Sequence, residues 1–271
     1  MNAHTPENSS LGRGTEYPAA YDEGLLFPIP RAQARNEIGI HGALPFIGHD
    51  IWNAYELSWL DTRGKPVVET AQFIVPAESP NLIESKSFKL YLNSLNNERF
   101  ASHDEVQAKV VAALSTAAGG EVTMRFGVPH TQAQQSGICI DDLPVTIASY
   151  GPPDAGLLRH DDTRVTEVLL TRLLKSNCPV TSQPDWATLT IDYSGPRLDR
   201  AALLEYIVSF RNHCEFHEQC VERIFNDLMT RTSPDRLSVI ARYTRRGGLD
   251  INPWRATVNE DRIDFERDVR Q

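Results

Sequence analysis

The stretch "LLKSNCPVTSQPDW", residues 173–186, sets Cys178 seven positions ahead of Asp185, with Pro179 and Pro184 between them. A thiol and a carboxyl group at the two ends of a short turn can offer a nucleophile and an acid to one substrate atom. Lys175, three residues before Cys178, is a cation of the kind that favours thiolate. If Asp185 folds back onto the sulfur, the protonation states of the two groups are coupled. The plainer reading stands beside it, because most free thiols are simply small buried hydrophobes.

A second cluster is "RNHCEFHEQC", residues 211–220. His213 and His217 stand four apart, the spacing that puts two imidazoles on one helix face, and Cys178 or Glu218 would complete a zinc site. The alternative is an ordinary polar histidine near a helix start. Glu84, in "NLIESKSFKLY", and Glu218 both fall where a helix should begin. There a carboxylate complements the helix dipole. It is also the group that accepts two parallel N–H donors, such as the amide and amino edge of a guanine-like base. In "RYTRRGG", Arg242, Arg245 and Arg246 precede Gly247 and Gly248, which suits an anion cradle as well as it suits a solvated basic turn. No Gly-rich dinucleotide fingerprint and no phosphate loop occurs.

The elements that must hold these groups can be read from periodicity. "IWNAYELSWL" and "KPVVETAQFIVP" form a hairpin around "DTRG", and a helix follows from about Ser87. Ser102 and Glu105 form a capping box for the helix of "SHDEVQAKVVAAL", which Gly119 and Gly120 end before the strand "EVTMRFGV". The second half echoes this order. "WATLTIDY" alternates as a strand, Asp199 caps "RAALLEYIVSF", and "EFHEQCVERIFNDLM" carries Cys220, Val221, Ile224, Phe225 and Leu228 along one helix face. "LSVIARYTR" and "LDINPWRA" close it as strands. The implied class is α+β: an N-terminal arm over 1–35, then two tandem ββααββ modules over 36–150 and 151–271, helices covering one face of antiparallel sheets.

The 271 residues, 41% hydrophobic, suffice for two such modules. A formal net charge of -9 disfavours tight binding of nucleic acid, and no run approaches the length of a membrane span. With a polar N-terminus that lacks a signal-like apolar core, this suggests a cytoplasmic protein. Cys139, Cys178, Cys214 and Cys220 form no CxxC pair and should be free thiols in a reducing compartment.

"ESKSFKLYLNS" (84–94), "LLKSNCPVTSQPDW" (173–186), "FRNHCEFHEQCVERIFNDL" (210–228) and "ARYTRRGGLDINPWR" (241–255) together closely resemble the NADPH-dependent 7-cyano-7-deazaguanine reductases, the nitrile oxidoreductases of queuosine biosynthesis, in their longer, two-module branch. The likeness runs from about Asp50 to Arg255. It implies a tunnelling fold, with substrate sites between modules and therefore a homodimer or larger assembly. By this resemblance Cys178 is the nucleophile that forms a thioimide with the nitrile, and Asp185 protonates its nitrogen. His217 lies near the reacting carbon. Glu218, Glu84, Ser85 and Lys86 bind the deazaguanine, while Lys86, Ser87, Arg246 and Gly247 contact NADPH. Two NADPH are used per turnover, with no metal, and the substrate is the free base rather than tRNA. Two other hypotheses remain at this point. One is a zinc-dependent hydrolase or cyclase using Cys178, His213 and His217; the other is a non-catalytic purine-binding module.

Overall fold

The computed structural model describes residues 5, 8, 17–132, 136–258 and 266–271. Most of the stretch 1–16 of the expected N-terminal arm lies outside the described residues. Strand β1 (Pro28–Pro30) and helix α1 (Arg31–Glu37) precede the hairpin of β2 (Ile47–Leu60) and β3 (Pro66–Pro76). Short β4 (Asn81–Ile83) leads into α2 (Ser85–Ser94), α3 (His103–Ala118) and β5 (Thr123–Phe126); β6 (Thr131–Gln132) and β7 (Ile138–Cys139) follow. The second run is β8 (His160–Asn177), β9 (Pro184–Leu198), α4 (Arg200–Val208), α5 (His217–Thr232), β10 (Arg236–Tyr243) and β11 (Leu249–Ala256), with β12 (Arg267–Asp268) after it. The class is α+β with predominantly antiparallel strand pairing; β6 with β12 and β7 with β8 pair in parallel. Among the described residues no helix is long and apolar enough to cross a membrane.

Two compact units form, and neither is one continuous stretch. Unit 1 takes the described residues of 1–34, with 50–129 and 245–250; unit 2 takes 35–49, 130–244 and 251–271. The division expected at 35/36 and 150/151 therefore differs from the contacts: 35–49 belongs with the second run of elements and 245–250 with the first. The repeated order is also unequal. The second run closes with two eight-residue strands, whereas among the described residues β5 is followed by the two-residue β6 and β7.

In unit 1 the helices start and stop where side chains satisfy their open ends. The Ser102 hydroxyl accepts the Glu105 N–H at 3.2 Å, and Gly119 ends α3 with φ +71°. Glu105 reaches back to the Ala101 N–H rather than to that of Ser102. β2, β3 and β5 are neighbours in the order β5-β3-β2. Trp52 from β2 and Phe73 from β3 both meet Phe88 of α2 edge-on, with ring centroids 5.2 Å apart in each pair. All three rings are buried, and aromatic burial of this kind is the main stabilising term of such a layer.

Unit 2 carries the strand order β11-β10-β9-β8-β7. Ala187, Leu189, Ile191 and Tyr193 of β9 are all buried, as are Cys220, Val221, Ile224, Phe225 and Leu228 of α5, so the apolar face read from the sequence is the face that packs. Asp199 caps α4 by accepting the Ala201 and Ala202 N–H groups.

One irregularity decides which side chains of β8 face inward. Its register with β9 passes from Thr171↔Leu189 to Leu174↔Ala187, so β8 holds one residue more than its partner. This bulge reverses the alternation. Leu169 and Thr171 are buried before it, Leu173 within it is exposed, and Leu174, Ser176 and Cys178 are buried after it. The amides it frees are satisfied: Arg172 N donates to the Asp141 carboxylate and Leu173 N to the Thr171 hydroxyl, which itself donates to Asp141 at 2.6 Å.

Candidate active site

Cys178 lies one residue beyond β8, where the chain turns into β9. Its N–H donates to Gln183 C=O at 2.9 Å, and Ser182 closes the turn by donating to Cys178 C=O with φ +57°. Ser176 stands opposite Asp185 in the ladder, and Asn177 stands opposite Pro184. Strand alternation puts Ser176, Cys178 and Asp185 on one face. They are 0%, 7% and 3% exposed, so the thiol and the carboxyl group share a shielded corner. Lys175 has the opposite parity. Its ammonium donates to Asn177 Oδ1 and Arg211 C=O, so the expected role of favouring a Cys178 thiolate is not what this contact set serves.

The segment 213–215 is stitched to the same strand end. Asn177 N donates to His213 C=O, and Glu215 N donates to Asn177 C=O. This delivers the start of α5 to the corner formed by Cys178 and Asp185. Helix α5 opens at His217, whose Nε2 is 3.3 Å from Asp185 Oδ2, and Glu218 follows in the first turn, 3% exposed. The His217 ring lies against Tyr243 of β10, centroids 3.8 Å apart and planes 18° apart.

His213 precedes the helix instead of sharing its face with His217, and it pairs with Glu215 at 3.4 Å. The helical two-histidine spacing therefore does not materialise, because α5 begins between the two residues. Among the described residues no group of three His, Cys, Asp or Glu side chains forms a metal site. Burial pushes the Glu215 carboxyl up, but His213 and Arg223, the latter 2.6 Å away, outweigh it and hold the group below its ordinary value.

In unit 1, Glu84 is the N-cap of α2. One carboxylate oxygen accepts the Lys86 N–H at 2.6 Å and the Ser85 hydroxyl at 3.4 Å; the other accepts the Ser87 N–H at 2.9 Å. Burial raises its pKa even though the Lys86 and Ser87 amides oppose the shift. Of a carboxylate's roughly four acceptor sites, about one is left for a ligand. The Ser87 hydroxyl donates to Glu84 C=O and accepts the Phe27 N–H, so it ties the start of α2 to the arm.

The basic turn is a tight hairpin. Arg246 and Leu249 exchange both backbone bonds, and the two central residues, Gly247 and Gly248, have φ +58° and +81°. A Cβ on Gly247 would come within 3.2 Å of Lys89 Nζ, and the Arg245 guanidinium lies 4.4 Å from the Tyr55 ring centre. With Lys86 and Lys89 on α2, unit 1 thus combines cations with a bare backbone. Arg242 departs from the expectation. It is buried on β10, where its guanidinium donates to Glu266 C=O and to Thr190.

Residues 17–126 match the family described as "Nitrile reductase, 7-cyano-7-deazaguanine-reductase N-term", and residues 184–262 match one described as "QueF-like protein". A relative from Xanthomonas campestris pv. campestris (strain 8004), named NADPH-dependent 7-cyano-7-deazaguanine reductase, is 58% identical over 99% of this chain and 100% of its own. The chain belongs to the NADPH-dependent 7-cyano-7-deazaguanine reductases.

Two more relatives bearing that name are similarly near. One from Stenotrophomonas maltophilia (strain R551-3) is 59% identical over 94% of each chain, and one from Burkholderia multivorans is 54% identical over 98% of this chain and 99% of its own. A crystal structure of an archaeosine synthase QueF-Like in the apo form covers 41% of this chain at 16% identity; its TM-score of 0.28 is too low to bear on the fold.

Within the family frame, unit 2 brings together Cys178, Asp185, His217 and Glu218, while Glu84, Ser85, Lys86, Ser87, Arg246 and Gly247 all belong to unit 1. Three residues at the unit 2 corner were not anticipated: Ser176, Glu215 and Tyr243. Tyr243 had a visible signal, since it alternates with Ala241 on a strand whose far end reaches the basic turn; Glu215 had none apart from its nearness to two histidines.

Proposed function

We propose that the protein reduces the nitrile of 7-cyano-7-deazaguanine to 7-aminomethyl-7-deazaguanine, consuming two NADPH per turnover, in the cytoplasmic supply of queuosine for tRNA modification. The observation that carries this is the Asp185–His217 pair beside the turn that holds the shielded Cys178, at the closed end of β8 and β9. Family membership supplies the substrate class.

Cys178 Sγ adds to the nitrile carbon, one C–N π bond shifts its electrons to nitrogen, and a proton from the Asp185–His217 pair goes to that nitrogen, giving a covalent thioimide. Sulfur suits both halves of the task, since it attacks a soft carbon and can leave again. NADPH, when bound, supplies both hydrides to the former nitrile carbon. Between the two additions the C–S bond breaks, its electron pair returns to Cys178, and nitrogen becomes an imine. The same acid pair then serves the nitrogen as it becomes the amine. The balance is one nitrile, two NADPH and two protons to one amine and two NADP⁺.

Glu218, buried in the first turn of α5, is the carboxylate of unit 2 that joins this proposal as a ligand for the base, on family resemblance. Glu84, Ser85 and Lys86 join this proposal through family resemblance. The cofactor fits the cations of unit 1: Arg246, Lys86 and the bare backbone of Gly247 would hold its phosphates, with Ser87 acting by fixing the start of α2. A tunnelling fold of two tandem modules and assembly from at least two copies complete the reading; the basis for both is family resemblance.

Intact mass spectrometry tests it directly. Mixed with the cyano base and no NADPH, the wild type should gain the mass of one base and Cys178→Ala should gain nothing. Full nitrile-to-amine turnover by Cys178→Ala would rule the proposal out.

A further inference from the structure

We infer that Tyr243 is the positioning residue for the imidazole of His217, setting the plane in which its Nε2 meets Asp185. The inference rests on the acid role proposed for that pair and extends it to a residue that touches neither reacting atom.

The backbone places Tyr243 beside the corner without help from its side chain. β10 pairs with β9 so that Tyr243 stands opposite Ala187, two residues along the same face from Asp185, and Thr244 N donates to Trp186 C=O at 2.8 Å. The phenol ring is 1% exposed and lies on the imidazole with centroids 3.8 Å apart and planes 18° apart. An imidazole at the first position of a helix can ordinarily turn about its side-chain bonds. A near-parallel ring against it removes the out-of-plane part of that freedom, leaving Nε2 3.3 Å from Asp185 Oδ2.

The ring, and not the hydroxyl, does this. The Tyr243 hydroxyl lies beside the Cys220 thiol and the Ser176 hydroxyl and, among the described residues, makes no hydrogen bond of proper geometry. Burial, with Cys220 and Asp185 adding to it, pushes the phenol well above its ordinary pKa, so it stays neutral. A buried hydroxyl without a partner can be removed at little cost. The aromatic face cannot.

The test compares Tyr243→Phe with Tyr243→Leu. The Phe variant should keep kcat within about 3-fold of wild type, whereas the Leu variant should lose on the order of 10- to 100-fold in kcat, with KM for the cyano base changed far less. A folded Leu variant with wild-type kcat, or a Phe variant as impaired as Leu, would overturn the inference. A second measurement needs neither turnover nor a Leu variant that folds: the His217 ring protons in the wild type and in Tyr243→Phe should show the upfield ring-current displacement of a stacked imidazole. Ordinary random-coil positions in the wild type would overturn the inference by themselves. The adduct experiment with Cys178→Ala reads the underlying acid–nucleophile mechanism separately, so the two failures are distinguishable.

Discussion

Ser176 and Asp185 face each other across the last rungs of the β8–β9 ladder. Directly opposed residues share a face, and the residue that β8 gains between Thr171 and Leu174 puts Ser176, rather than Lys175 or Asn177, on the face that Leu169 and Thr171 occupy. Without that residue Asn177 would point inward and Cys178 outward. The bulge is thus the local device that shapes the strand end carrying the proposed nucleophile, and Asp141 holds it by accepting from the Thr171 hydroxyl and the Arg172 N–H.

Asp141→Ala should therefore act at a distance. It leaves a bulge amide and a hydroxyl short of a partner, a loss of about 1–3 kcal/mol. It should also slow thioimide formation by on the order of 10-fold or more, because small misplacements of a nucleophile are costly. Time-resolved intact mass against urea denaturation would separate the two effects. An unchanged adduct rate in a destabilised variant would show that the bulge serves stability alone.

A buried charge cluster makes a sharper stability prediction. Arg35 and Arg255 both bind Glu222 of α5, at 2.8 Å each through their terminal nitrogens, and all three side chains are less than 10% exposed. Glu222→Ala takes the carboxylate from two buried guanidinium groups and should cost about 3–5 kcal/mol, whereas Arg35→Met leaves the Glu222–Arg255 pair intact and should cost less. Urea midpoints of the two variants give the order, and a Glu222 variant milder than the Arg35 one would contradict it.

What the sequence disclosed and what it hid follow a physical division. Local rules were legible: Ser102 and Gly119 bound α3, Asp199 caps α4, and the apolar stripe from Cys220 to Leu228 is the buried face of α5. Glu84 and Glu218 fell at helix starts as their type suggests. Nonlocal facts were not legible. Arg242 looked like part of a basic turn, but it is buried on β10 and donates to Glu266 C=O and Thr190. The exchange of 35–49 and 245–250 between units depends on partners more than a hundred residues away, such as Glu222 for Arg35. The bulge in β8 was invisible because "TRLL" reads equally well as a regular strand.

Two carboxyl groups of the same region should give opposite pH slopes. Glu215 is held below its ordinary value of 4.5; burial alone would raise it, but His213 and Arg223 prevail. Its contribution to stability is present above the unfolded value and lost as pH falls through the folded one. Burial raises Asp227 above 3.8, although the Tyr206 hydroxyl, donating at 2.6 Å, opposes this. Its contribution is present below the unfolded value and lost as pH rises through the folded one. Glu215→Gln should flatten the fall in stability below 4.5, and Asp227→Asn should flatten the decline above 3.8. Urea midpoints across the acid range would show the two changes; slopes of the same sign would refute the assignment.

Arg246→Ala addresses the turn proposed to hold the cofactor. Arg246 keeps its two backbone bonds with Leu249 whatever its side chain, so the hairpin should survive. Losing a charge-assisted contact to phosphate should raise KM for NADPH by on the order of 10-fold with kcat little changed, and the effect should shrink as ionic strength rises. A salt-independent drop in kcat would instead place Arg246 in the chemistry.

Glu218→Gln separates recognition from reduction. Glu218 sits in the first turn of α5, next to His217 in sequence but serving a different partner in the proposed mechanism. An ionised carboxylate accepts at both oxygens, so it matches two parallel N–H donors of the base; the Gln amide keeps one acceptor and sets its NH₂ against the second donor. Hydrogen bonds to a charged group contribute about 1.5–3 kcal/mol, so binding of the base should weaken by roughly 10- to 150-fold. Once bound, the nitrile still faces Cys178 and Asp185, and the adduct should form at saturating base. Calorimetric titration in a Cys178→Ala background measures binding without reaction, and intact mass at high base concentration measures adduct formation. If Glu218→Gln binds normally and fails only to form the adduct, Glu218 acts on the reacting group and the division of labour between the two neighbouring residues must be redrawn.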